Sequence, residues 1–260
     1  MTFPNIFYAS ALSKMQQFAP SNAWHETAEW LKSNTPEPYN ETYLKQFTRP
    51  YQRLDSGYGI VSHWDYGYWI TQMAHRSPII NPGITESRIS VANYMLGIKD
   101  IYSVRDSKYV ILTSETAMAS GKYWSWVEYA GLDWHDYFDF YYIPSGELKI
   151  LYYPEYYKSL IVRLYNFEGK RVVGQEPTVV TYRQSGKYKK VLDAQQFSTY
   201  EEAIEYVNKN KDCRIVSIDP FLSPVSMPEA SDYNLVFSTE NRVRVDNMLV
   251  SEVKIFERVR

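Results

Sequence analysis

The side chains best suited to chemistry lie in one stretch, Ser62-His63-Trp64-Asp65-Tyr66-Gly67-Tyr68-Trp69-Ile70. Asp65 accepts hydrogen bonds, the Trp64 indole N–H donates one, and the His63 ring can donate from one nitrogen. Such a set can hold a small polar group, a hydroxyl above all. The plainer reading makes Asp65 a helix cap and the aromatics core.

A second group follows in the segment Ser114–Gly131. Glu115, Met118, Lys122 and Trp126 are spaced by three, four and four residues, which places them on one face of a helix. Ser114 is its expected N-cap. An ordinary amphipathic helix, with Met118 and Trp126 in the core and Lys122 snorkelling, has the same spacing. A third group, Asp133, Asp136 and Asp139, offers carboxylates in an aromatic-rich run, as a glycosidase pair would. With no second motif beside them, they read as solvated loop acids. Phosphate-binding glycine loops, Gly-x-Ser-x-Gly elbows and Cys–His nucleophile pairs are absent from the sequence.

The elements that must position these groups can be read from periodicity. Ser62 and Asp65 have the spacing of a capping box. Tyr66, Trp69, Ile70 and Met73 then form the apolar stripe of a helix. His63, Trp64 and Asp65 would sit at its mouth, where backbone N–H groups lack partners. Upstream, residues 5–19 are weakly periodic, and a helix capped by Ser21 or Asn22 buries Trp24, Ala28 and Leu31. Residues 34–58 read as a long loop with Pro36, Pro38, Pro50 and Gly57. Asn40-Glu41-Thr42 within it is an N-glycosylation acceptor tripeptide, a pattern common by chance.

Further on, 86–98 suits a helix, and Ile101–Val104 and Tyr109–Leu112 suit strands. Pro144-Ser145-Gly146 turns a hairpin whose returning strand is Lys149–Tyr153. Residues 157–168 suit a helix ended by Gly169. Strand patterns then dominate, at Thr178–Tyr182, Lys189–Leu192, Arg214–Ile218, Tyr233–Ser238, Arg242–Asp246 and Val250–Phe256. A helix at Tyr200–Lys209, capped by Thr199, lies among them.

Composition narrows the function classes. The 260 residues allow one large domain or two small ones, with a sizeable core. A net charge of −2 gives no basic footprint, so nucleic acid is excluded as a partner. One cysteine, Cys213, forbids an intrachain disulfide and a thiolate metal site. The four histidines, His25, His63, His75 and His135, lack metal-ligand spacing. No apolar run is long enough to span a membrane, and no secretory signal is present. Tyrosine is abundant, with 25 residues, alongside 7 tryptophans. That excess suits aromatic surfaces that meet sugars, peptides or a membrane interface, and equally a β-rich core.

His63-Trp64-Asp65-Tyr66-Gly67 resembles the Trp-Trp-Asp-Tyr-Gly signature of the archaeal oligosaccharyltransferase catalytic subunit, matching it at every position but the first. Glu115-Thr116-Ala117-Met118-Ala119-Ser120-Gly121-Lys122 resembles an archaeal form of that family's second motif, an acid and a lysine on a kinked helix, with Gly121 to supply the kink. Trp30-Leu31-Lys32 with Asn34-Thr35-Pro36, the segment 157–168, Tyr233–Phe237 and Val253–Glu257 also resemble the family. The resemblance covers most of the chain, and the signature is its specific part.

The resemblance implies the C-terminal globular domain of a membrane enzyme, on the extracytoplasmic side of the cell membrane. That enzyme transfers a lipid-linked oligosaccharide of the dolichol phosphate type to Asn in an Asn-X-Ser/Thr acceptor. It implies that His63, Trp64, Asp65, Met118 and Lys122 meet the +2 Ser/Thr. Trp64 and Asp65 would bond its hydroxyl, and Met118, with Lys122 nearby, would border a threonine methyl. Tyr66, Gly67, Glu115 and Trp126 would support the two motifs. A site built around a hydroxyl rejects analogues that lack one, because its polar groups are left unpaired.

Amide nitrogen is a poor nucleophile, so the reaction needs carboxylates and a divalent cation, Mn2+ or Mg2+. In the family these are held by the N-terminal transmembrane region, a partner that the chain lacks. No metal is expected in the chain itself, which is expected to be inactive alone. His63 in place of the first tryptophan puts one hydrogen bond in question, and His63→Trp is expected to be tolerated where Asp65→Ala is not.

The expected fold is α+β. A mainly helical central core over 1–135 carries both motifs, a short β-rich insertion occupies 136–157, and a return helix with closing strands fills 158–260. Two rival readings remain: an independent aromatic-rich carbohydrate- or peptide-binding module, and a soluble hydrolase using the loop acids.

Overall fold

The computed structural model describes residues 19–37, 57–83, 87–98 and 107–259. The expectations for 5–19, the acceptor tripeptide at Asn40 and the strand at Ile101–Val104 lie wholly or mostly outside the described residues.

At the centre stands a four-stranded sheet, in the order β1 (Gly59–Val61), β2 (Ser107–Thr113), β11 (Val253–Arg258) and β8 (Tyr233–Ser238). β1 runs parallel to β2, and the other pairs are antiparallel. β2 reads SKYVILT and buries both faces, which is why its apolar run is nearly continuous. Tyr109 and Ile111 face one layer, Val110 and Leu112 the other. β11 divides likewise, with Val253 and Ile255 opposite Phe256.

Helices cover both faces. On one side α1 (Asn22–Asn34) and α2 (Gly67–Ala74) pack Trp24, Leu31, Tyr66 and Ile70 against the sheet. On the other, α3 (Arg88–Met95), α5 (Tyr123–Tyr129), α6 (Pro154–Lys158) and α7 (Leu160–Tyr165) bury Met95, Tyr123, Trp126, Tyr156 and Leu164. α4 (Ser114–Ala117) leads directly out of β2.

A five-stranded sheet runs in the order β4 (Leu148–Tyr152), β3 (Phe138–Tyr142), β6 (Tyr188–Gln196), β5 (Thr178–Ser185) and β7 (Cys213–Val216). The hairpin around Gly146 therefore joins strands from 178–216, and α8 (Tyr200–Lys209) packs on them. β9 (Arg242–Val245) and β10 (Met248–Ser251) form a separate hairpin.

The expectation of a mainly helical core is corrected. Eight helices and eleven strands occupy the described residues, and sheets dominate the core. Single elements were visible as patterns, but β2 pairs with β1 and β11 across wide gaps in sequence, and such pairing leaves no local signal. The expected capping box is also absent. His63, not Ser62, caps the first turn, a 3-10 turn at Trp64–Tyr66, and its side chain accepts from the Asp65 N–H. Ser62 is spent on the His63 carbonyl.

Candidate functional site

Two chain segments meet at the edge of the central sheet: the turn 63–67 ahead of α2, and the stretch 114–126 that leaves β2. Each is held by a close approach that only glycine allows. A Cβ on Gly67 would lie 2.3 Å from Asn81 Cβ, and one on Gly121 would lie 2.1 Å from the Glu115 carbonyl oxygen. The first lets α2 pack on the returning chain at Ile80–Asn81. The second folds residues 118–122 back over α4, where the Lys122 N–H donates to the Glu115 carbonyl at 2.6 Å.

That fold-back corrects the single helix expected over 115–126. Met118 is extended, with ψ at 141°, and separates α4 from α5. Glu115 and Lys122 still meet, through the turn rather than along a helix face. Lys122 Nζ lies 2.7 Å from Asp65 Oδ2 and 3.2 Å from Glu115 Oε1. The Tyr66 hydroxyl donates to Glu115 Oε2 at 2.6 Å. Asp65, Lys122, Glu115 and Tyr66 thus form one connected polar group. Lys122 and Asp65 are about 30% exposed, open to a partner. Burial opposes the Lys122 charge, but Asp65 and Glu115 outweigh it and hold the pKa above the usual lysine value. Burial, followed by Glu115, raises the Tyr66 hydroxyl far above its ordinary range, so it acts as a donor.

His63 is buried, at 1% exposure, with both ring nitrogens engaged. Nδ1 accepts from the Asp65 N–H, and Nε2 lies 2.8 Å from Ser125 Oγ. Burial lowers its pKa to about 3, so the ring is neutral. Trp126 meets it edge-on at 5.0 Å. Both His63 ring nitrogens are thus engaged within the protein. Trp64 is half-buried, and its Nε1 is a covered donor with no acceptor. The Arg88 guanidinium stacks 4.4 Å from the Trp64 ring and 4.8 Å from the Tyr129 ring.

Met118 was expected to border a threonine methyl with Lys122 nearby, or to lie in the core. It is 2% exposed and directs its sulfur to the Tyr156 hydroxyl at 3.6 Å, so it lies in the core beneath the turn. Sequence reasoning passed over Ser125, Arg88 and Arg76. Arg76 is 1% exposed and ties the end of α1 to the end of α2. It donates to the Leu31, Lys32 and Thr35 carbonyls and pairs with Glu37. A lone arginine in a proline-rich loop carries no sequence sign of that role.

The loop acids each have a side-chain partner. Asp139 pairs with Lys189 at 2.7 Å, Asp133 holds His135, and Asp136 faces Arg214. Among the described residues, no three His, Cys, Asp or Glu side chains gather as a metal site, and no helix is long and apolar enough to cross a membrane. A hollow of about 680 Å³, lined by Ser120, Ile150, Phe221 and Met248, and one of about 370 Å³, lined by Tyr94, Arg163 and Tyr233, do not include the Asp65–Lys122 pair. The polar group lies at a half-exposed position outside both hollows.

Residues 21–118 match the family model of the AglB core domain. This stretch is similar to the AglB core domain. Dolichyl-phosphooligosaccharide-protein glycotransferase 3 of Archaeoglobus fulgidus is 29% identical over 170 residues, which cover 55% of this chain and 19% of that protein. Dolichyl-monophosphooligosaccharide–protein glycotransferase AglB of Haloferax volcanii is 28% identical over 183 residues, covering 56% and 17%. The chain thus spans less than a fifth of the length of these curated relatives. The crystal structure of an Archaeoglobus fulgidus oligosaccharyltransferase tethered to an acceptor peptide containing the NVT sequon matches 92% of the chain and 33% of its own. The TM-score is 0.50 at 17% identity, a likeness of fold alone. The matched stretch holds the whole 63–67 turn and ends at Met118, just short of Lys122.

Proposed function

We propose that this chain is the acceptor-recognising, extracytoplasmic part of a membrane oligosaccharyltransferase. It binds the +2 Ser/Thr of an Asn-X-Ser/Thr sequon while another part of the enzyme performs the transfer. The supporting observation is the Asp65–Lys122 contact, which joins the turn 63–67 to the segment 114–122 at a half-exposed position. Asp65 Oδ2 accepts from Lys122, and the carboxylate retains lone pairs for a hydroxyl proton. Trp64 Nε1, a covered donor without an acceptor, gains a partner when the acceptor hydroxyl approaches. Met118 supports the turn from the core side, and Tyr66, Glu115 and Trp126 hold the two motifs in place.

On this reading the chain is silent alone. The amide-activating carboxylates, the divalent cation (Mn2+ or Mg2+) and the dolichol-phosphate-type donor belong to a transmembrane region outside it. Its organisation follows as a core over 1–135, a β-rich unit from 136 to 157, and a return to the core over 158–260.

The test is glycan transfer to an Asn-X-Thr peptide by the membrane enzyme carrying this domain. Asp65→Ala is expected to lower transfer at least tenfold, which corresponds to about 1.4 kcal/mol or more. Equal activity of the variant and the wild type would refute the reading.

A second reading, an aromatic carbohydrate-binding module, is favoured by the exposed rings of Tyr68 and Trp124, at 49% and 41%. Free oligosaccharide that binds the chain without any acceptor peptide would favour it.

A further inference from the structure

A chain of three hydrogen bonds runs beneath the Asp65–Lys122 pair. The Asp65 N–H donates to His63 Nδ1, so that nitrogen carries the lone pair and the ring proton sits on Nε2. Nε2–H then donates to Ser125 Oγ at 2.8 Å, and the Ser125 hydroxyl donates to the Lys122 carbonyl at 2.7 Å. One buried ring thereby fixes the backbone of both charged residues, from two segments far apart in sequence.

We propose that His63 and Ser125 are positioning residues for the acceptor site. His63 serves as its neutral Nε2–H tautomer, holding Asp65 directly and Lys122 through Ser125, and touches no substrate. The consequence for peptide binding rests on the +2 reading above; the tautomer and the bond order do not.

Several features support a tuned arrangement over plain filling of space. His63 is buried among Trp126, Tyr66 and Tyr129, rings that need no hydrogen bond from it. Yet neither ring nitrogen lacks a protein partner. The charged groups facing it are Asp65, Lys122 and Arg88. A protonated ring would carry a second N–H, on Nδ1, which lies 3.6 Å from Asp65 Oδ2. The Asp65 N–H would lose its acceptor, and the carboxylate would be drawn from Lys122. The neutral ring is thus the form that leaves Asp65 to Lys122 and to an incoming hydroxyl.

The experiment uses the 260-residue chain with 15N-labelled histidine. Ring nitrogen shifts are read from pH 8 to pH 4, and binding of an Asn-X-Thr peptide is measured at pH 7. The expected result is a His63 ring fixed as the Nε2–H tautomer, with no titration between pH 8 and pH 5. Ser125→Ala is expected to weaken peptide binding about fivefold and to shift the Lys122 backbone amide. His63→Asn keeps an acceptor for the Asp65 N–H but cannot reach Ser125, so it is expected to match Ser125→Ala.

Ser159→Ala serves as the control. It removes a buried N-cap on α7 without touching the bonds to His63 or Lys122, and is expected to cost stability without changing binding. A ring that titrates near pH 6.5, or one with its proton on Nδ1, would overturn the proposal even if no peptide binds. Equal loss of affinity in Ser125→Ala and Ser159→Ala would overturn it by showing mere destabilisation.

Discussion

Lys122 Nζ lies 2.7 Å from Asp65 Oδ2, so residues 57 positions apart share one contact at the surface where the two motifs meet. At about 30% exposure the pair is a weak source of stability, worth less than about 1 kcal/mol. Lys122→Met is therefore expected to leave the melting temperature nearly unchanged while lowering affinity for an Asn-X-Thr peptide at least tenfold. Calorimetry beside peptide titration separates the two effects. A large loss of stability with unaltered binding would assign the pair to the scaffold.

Gly121→Ala should act on both properties. The added methyl meets the Glu115 carbonyl oxygen, a backbone atom with no room to yield. The turn that brings Lys122 to Asp65 must open, and we expect a loss of about 2–4 kcal/mol together with loss of binding, read by chemical denaturation and peptide titration.

Arg76→Met tests the scaffold alone. It removes the guanidinium donor from the Lys32 and Thr35 carbonyls and the Thr35 hydroxyl, where α1 meets α2, while the Leu31 carbonyl keeps the Thr35 N–H and hydroxyl. The expected cost is about 3 kcal/mol in denaturant unfolding. Peptide affinity of the folded fraction should stay within about twofold, or about 0.4 kcal/mol, since Arg76 contacts neither Asp65 nor Lys122.

Stability should fall with acid because of His63. Its folded pKa of about 3 lies below the ordinary 6.5, so between those values the unfolded chain binds a proton that the folded chain refuses. The contribution is complete above pH 6.5 and declines as pH falls toward 3, with a slope of at most about 1.4 kcal/mol per pH unit. His63→Asn should flatten this slope in urea titrations between pH 7 and pH 4.5. The same burial bears on His63→Trp: a larger ring must enter a filled space without the bonds to Asp65 and Ser125, so we expect the folded state to lose about 1–3 kcal/mol.

Several elements were legible in the sequence. Thr199 caps a helix over Tyr200–Lys209, and Tyr233–Ser238 forms a strand, both with the expected bounds. The helix is decided by a local cap, and the strand by a short run rich in aromatic and β-branched residues. The segment 114–126 was misread because helical spacing persists across a break at Met118, and the break depends on how Gly121 packs against a distant backbone oxygen. The central sheet was hidden for a similar reason. β1 has only three residues, and its partner lies beyond residue 106. At the site, types and spacing drew attention to Asp65 and Lys122, but nothing near Ser125 marks it as the partner of His63.

The most direct measurement is an NMR titration of the chain with two peptides, Asn-X-Thr and Asn-X-Ala. The account predicts shifts at Trp64, Asp65 and Lys122 with the threonine peptide, and none there with the alanine peptide. Equal shifts with both peptides, or threonine-dependent shifts confined to other residues, would contradict the claim that these two motifs form one hydroxyl-reading site.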